Sequence, residues 1–86
     1  MNTEEFYRTN DMGMATFLKL EGHPCQEMLW QGDVCYWVFR VTDALLDDTE
    51  DFLDGSARVE PKAYNKEFNL TKREFYDSKE STRQAR

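Results

Sequence analysis

CQEMLWQGDVCYWVFRV, residues 25–41, decides how this chain folds. Its second half, VCYWVFRV, is the most β-prone run in the sequence, built from branched and aromatic side chains that fit a pleated surface. Alternation places Cys35, Trp37, Phe39 and Val41 on one side of that strand and Val34, Tyr36, Val38 and Arg40 on the other. The first set is apolar throughout and marks the core face. Gln31, Gly32 and Asp33 read as a turn, so residues 25–30 and 34–41 form a hairpin, with Met28 and Trp30 beside the core face.

Working outward toward the N-terminus, residues 5–9 (EFYRT) predict a short first strand. Thr9 or Asn10 then caps a helix over residues 11–21, whose Met14, Ala15, Phe17 and Leu18 share one face. Gly22 supplies the left-handed residue that closes this helix, and Pro24 prevents its resumption. On the other side of the hairpin, Thr42 caps a helix over residues 43–54 that stops at Gly55. Pro61 opens a third helix running to residue 78, since proline's missing N–H costs nothing at the first position. Tyr64, Phe68, Thr71 and Phe75 make its apolar stripe, with Lys62, Lys66 and Arg73 opposite.

The element order is β-α-β-β-α-α. A strand joined through a helix to the next strand runs parallel to it, and the hairpin makes the third strand antiparallel to the second. The economical sheet order is 2-3-1, with the apolar third strand in the middle. All helices then lie on the Trp37 and Phe39 face, giving an α+β two-layer domain. Residues 1–78 make this single domain, and the polar residues 79–86 (KESTRQAR) are expected to be a disordered tail.

Composition bounds the rest. A chain of 86 residues buries about 60–65% of its unfolded surface, leaving a thin core and no room for a second domain. Six Phe, four Tyr and two Trp supply enough apolar bulk to fold without a metal or disulfide. Cys25 and Cys35 flank the turn in a register that does not make them face one another, so two free thiols are expected. The acidic opening MNTEEF is unlike a signal peptide, and no apolar run is long enough to span a bilayer, which points to the cytoplasm.

The net charge of −6 resides in one segment, DALLDDTEDFLD, residues 43–54, with six carboxylates and no base. Residues 1–42 hold six acids and three bases, residues 55–86 five acids and eight bases, so the flanks cancel. At about 100° per residue, Leu45, Leu46, Thr49, Phe52 and Leu53 form an apolar face. Asp43, Asp47, Glu50, Asp51 and Asp54 form an acidic ridge opposite. Such a ridge repels nucleic acid and suits a basic protein or nucleoprotein complex. A solvated face that aids solubility, offset in part by basic residues of the third helix, accounts for the same pattern.

The second strand face, carrying Leu29, Tyr36, Val38 and Arg40, offers an alternative surface, suited to base stacking or to a homodimer. His23 and Cys25 are two apart, yet Cys35 is the only other soft ligand; capping the first helix is the better reading of His23. No nucleophile, acid–base pair, calcium loop or nucleotide motif stands out, so neither an enzyme nor a cofactor is expected.

The opening Phe6-Tyr7-Arg8-Thr9 with Asp11, followed by Ala15, Leu18, Gly22 and His23, resembles a family of small uncharacterised phage and bacterial proteins with an F-Y-R-T-x-D opening. Trp37-Val38-Phe39, the acidic helix ending at Gly55, and Val59-Glu60-Pro61 with Tyr64 and Phe68 continue the likeness to Tyr76. The resemblance implies a phage or mobile-element protein. Small acidic proteins of that provenance are often inhibitors of host nucleases or defence complexes, some as nucleic-acid mimics, which makes the host cytoplasm the expected site of action.

Overall fold

A computed structural model describes residues 4–84. Along the chain run β1 (Phe6–Thr9), α1 (Met12–Leu20), β2 (Cys25–Gln31), β3 (Val34–Arg40), α2 (Asp43–Asp54) and α3 (Pro61–Gln84). The sheet has the order β1-β3-β2, with both outer strands antiparallel to β3. This is the expected 2-3-1 sheet, and the α+β class holds. Cys35, Trp37 and Phe39 form the sheet side of the core, covered by Met14, Phe17 and Leu18 of α1 and by Leu45 of α2.

The hairpin turn is tighter than expected. Gln31 pairs with Val34, leaving Gly32-Asp33 as a two-residue loop. Gly32 has φ 64° and, among the described residues, no non-glycine residue, Asp33 included, has positive φ, the pattern of a type II′ turn, whose twist matches that of the strands. A bulge between Cys25 and Glu27 then shifts the register, so that Cys25 pairs with Phe39 on the core face while Glu27 pairs with Val38 on the opposite one. Both cysteines are free.

Asp11, rather than Thr9 or Asn10, caps α1: its Oδ1 accepts from the backbone N–H of Gly13 (2.8 Å) and Met14 (3.2 Å). Thr9 is still in β1, and its hydroxyl accepts from the Asp11 N–H instead. At the other end, Gly22 N–H donates to Lys19 O and His23 N–H to Leu18 O, a Schellman closure around Gly22 at φ 97°. Five consecutive residues of α1, Met14 to Leu18, are buried, because the helix packs on the sheet and is flanked within the helix layer by α2 and α3. Thr16 is tolerated there because its hydroxyl donates to Met12 O at 2.8 Å.

Glu60 caps α3, accepting from the N–H groups of Lys62 and Ala63, both at 2.9 Å. The helix continues past Ser78 to Gln84, so residues 79–84 are helical, not irregular; residues 85 and 86 lie outside the described residues. Side-chain hydrogen bonds and aromatic packing hold α3 down. Tyr64 donates to Gly13 O at 3.1 Å; Lys19 Nζ reaches Thr71 Oγ1 at 3.1 Å and Glu74 Oε1 at 2.7 Å; Trp30 Nε1 donates to Ser78 Oγ at 2.8 Å. Phe75 fills the space between the Trp30 and Trp37 rings. Among the described residues no helix is long and apolar enough to cross a membrane.

Candidate functional site

The acidic helix forms as its sequence directs. Thr42 Oγ1 accepts from Leu45 N–H at 3.0 Å, and Gly55 at φ 82° ends the last turn, its N–H donating to Asp51 O. The docked stripe is narrower than the apolar pattern implies. Leu45 and Thr49 are buried and Phe52 is half-buried against Phe17, but Leu46 is 47% and Leu53 is 73% exposed. The reason is position: α2 sits at the margin of the helix layer and packs chiefly on α1, so nothing covers its outer flank.

Asp43, Asp47, Glu50, Asp51 and Asp54 are all exposed, and no salt bridge among the described residues involves any of them. The described basic side chains of α3 therefore do not offset the ridge through ion pairs. Leu46 and Leu53 fall between this ridge and the buried stripe, giving α2 an outward face that is acidic on one side and aliphatic on the other. Asp54 alone has a local partner: the Ser56 side chain and backbone hold its carboxyl below the usual range, with Ser56 N–H donating to Oδ1 at 2.9 Å. Arg58 turns back onto the carbonyls of Gly55 and Ala57, placing a cation just beyond the helix end.

Asp48 is the acidic residue that the ridge pattern leaves out. It lies on the α1 side of α2, and its Oδ2 is 2.6 Å from His23 Nε2. His23 thus closes α1 with its backbone and ties α2 to that closure with its ring. The proximity of His23 and Cys25 has no chemical consequence, since the ring is engaged by Asp48 and the bulge turns Cys25 toward the core. Among the described residues no cluster of His, Cys, Asp and Glu is arranged to hold a metal ion.

The opposite sheet face is partly covered by its own residues. Arg8 pairs with Val38 across β1 and β3 and lays its guanidinium over the Tyr36 ring, 5.2 Å from the centroid. Val38 is only 5% exposed, contrary to its expected place on an open face, and Leu29 and Tyr36 are half-buried. Arg40 is exposed but pairs with Glu4 at 3.1 Å. Phe6, half exposed at the β1 edge, is the large apolar group this face leaves in solvent, with Val34 at the hairpin end.

Comparison with known proteins finds no family model that matches the chain, and no curated protein or solved structure with significant similarity to it.

Proposed function

We propose that the chain is a non-enzymatic protein-binding module that presents the outer face of α2 to a basic protein or nucleoprotein complex. The observation that carries this reading is the pairing of a carboxylate ridge, free of ion pairs among the described residues, with two exposed leucines about two helical turns apart. A solvated face needs the carboxylates but not the leucines. A partner groove with an apolar floor and a Lys/Arg rim uses both, the leucines for affinity and the carboxylates for steering and register. The resemblance to phage and bacterial proteins supports a phage or mobile-element origin, action in the host cytoplasm, and inhibition of a nucleic-acid-binding or defence complex whose phosphate groove the ridge occupies.

The test is affinity capture from nuclease-treated bacterial lysate, comparing wild type with two variants. One carries Asp47→Asn, Glu50→Gln and Asp51→Asn, leaving Asp54 to its Ser56 hydrogen bond; the other carries Leu46→Ser and Leu53→Ser. A basic nucleic-acid-binding protein retained by wild type, lost from both variants and released by raised salt is the expected result. Equal capture by all three proteins rejects the α2 surface. Low-salt oligonucleotide binding that is lost on Tyr36→Ala would transfer the function to the sheet face.

A further inference from the structure

Residues 62–73 of α3 carry four basic side chains, Lys62, Lys66, Lys72 and Arg73, all exposed and none in a salt bridge among the described residues. The one acid within that stretch, Glu67, is turned toward Lys19 at 3.8 Å, as is Glu74 just beyond it at 2.7 Å, so the outward side is left basic. Lys66, Asn69, Leu70 and Arg73 line a shallow groove of about 240 Å³ there. These are positions i, i+3, i+4 and i+7, the four-residue hole that takes a side-chain knob from a facing helix. We propose that this hole receives α2 of a second copy of the chain, with Glu50 as the knob, so that copies associate head to tail.

The two helices match in charge and spacing. Asp43, Asp47, Glu50 and Asp54 follow one another at intervals of 4, 3 and 4 residues, and Lys62, Lys66, Asn69 and Arg73 do the same. Laid parallel with Asp43 opposite Lys62, the register brings Asp47 to Lys66 and Asp54 to Arg73. It centres Glu50 over the hole, where Lys66, Arg73 and the Asn69 amide can all donate to its carboxylate. The leucines select the same orientation. At about 100° per residue, Leu46 and Leu53 lie on one flank of the acidic stripe, and Leu70, 42% exposed, lies on the opposite flank of the basic one. Two helices that face each other in parallel bring those flanks together, whereas an antiparallel pairing sets them on opposite sides of the seam.

Within one chain the two faces do not meet, because α1 lies between α2 and α3 in the helix layer. A polyanion is the other occupant a basic groove suits, but the net charge of −6 repels it. The basic stretch also ends at Arg73, with Asp77 and Glu80 following on the same side, which fits a partner as short as the 12-residue α2 better than a continuous phosphate backbone. Repulsion between two acidic chains is damped at moderate salt: at 0.1 M it is screened over about 10 Å, well below the 42 and 41 Å extents of the plate. Ion pairs at contact distance persist. The contact uses the α2 face assigned above to a basic partner, without resting on that assignment, and such a partner would displace the second copy.

Sedimentation equilibrium of the purified full chain tests this. A contact one helix wide is smaller than a standard interface of about 800 Å² per partner, so the association is weak. The weight-average mass should rise from the monomer's 10.2 kDa by at least about 1.5-fold at ~1 mM chain and 0.1 M salt, and return to it in about 1 M salt, where screening acts within about 3 Å. Lys66→Glu with Arg73→Glu, and separately Asp47→Lys with Glu50→Lys, should each hold the chain at monomer mass with unchanged circular dichroism. All four substitutions in one chain should restore association, because the reversed faces complement one another again. A chain that stays monomeric, association indifferent to either reversal, or no recovery when both are combined would overturn the proposal. So would an oligonucleotide bound at α3 in place of a second copy. These readings need no other protein, and Lys66→Glu with Arg73→Glu leaves α2 intact for lysate capture, so failure here and failure of the partner reading are separate results.

Discussion

Cys35 is almost wholly buried on the core face of β3, and burial pushes its thiol up from 9.0 to about 11. A raised folded-state value means that the unfolded chain releases this proton first. Stability is therefore unaffected below about pH 9 and is lost as pH rises from there toward 11. Thermal melts of wild type and Cys35→Val should differ by a constant amount up to about pH 9, and the variant should gain on wild type above it. A parallel decline in both would place the alkaline loss elsewhere, with Tyr7 and Tyr64, also raised by burial and by the Asp11 charge, the next groups to vary. His23 and Asp48 join the end of α1 to α2. The pair is partly solvated, so a double-mutant cycle with His23→Ala and Asp48→Ala should give a coupling of about 0.5–1.5 kcal/mol by denaturant unfolding. The position of His23 after a helix-ending glycine was legible in the sequence. Its ring partner was not, because Asp48 lies 25 residues away and looks locally like one more acid in a charged run.

The acidic helix, whose two ends both carry an unambiguous chemical signal, was readable to the residue. Thr42 and Gly55 bound α2 where expected, since one offers a hydroxyl to the first turn and the other adopts a φ of 82° that a side chain would oppose. Thr42→Ala should cost about 1 kcal/mol in urea unfolding, and Gly55→Ala a similar amount, the second through backbone strain in open space with no steric contact. A loss in Gly55→Ala well below that of Thr42→Ala would mean that the chain relaxes out of the left-handed cap. The far end of α3 has no such punctuation. Residues 79–84 contain neither glycine nor proline, and a polar run compatible with helix is indistinguishable by composition from a tail. The cap of α1 was misplaced for the converse reason: Thr9, Asn10 and Asp11 are all competent caps, and only the pairing of Thr9 with Trp37 in the sheet removes the first from contention.

The whole molecule is a thin plate, 18 Å in its shortest dimension, with room for one sheet and one layer of helices. Its sheet order and one-sided helix layer were legible because a single apolar strand face can be buried only by putting β3 in the middle and covering it once. What covers the other face was not legible: Arg8 reaches across from β1 to shield Val38 and Tyr36, a contact that depends on register. Asp43 and Asp47, and Asp47 and Asp51, are like-charged pairs one turn apart, each destabilising by about 0.2–0.5 kcal/mol, and no salt bridge among the described residues relieves them. Asp51 also faces the negative end of the helix dipole. Replacing Asp47, Glu50 and Asp51 by their amides should stabilise the isolated protein by about 1 kcal/mol at low ionic strength. The gain should shrink as added salt screens the wild-type repulsion, because charges at a surface are screened over about 8 Å at physiological ionic strength. Urea midpoints of both proteins across a salt series measure this directly. A variant less stable than wild type would mean that the carboxylates serve the fold, whereas the expected gain, combined with loss of capture, marks α2 as a surface whose charge is kept for a partner at the expense of the free protein.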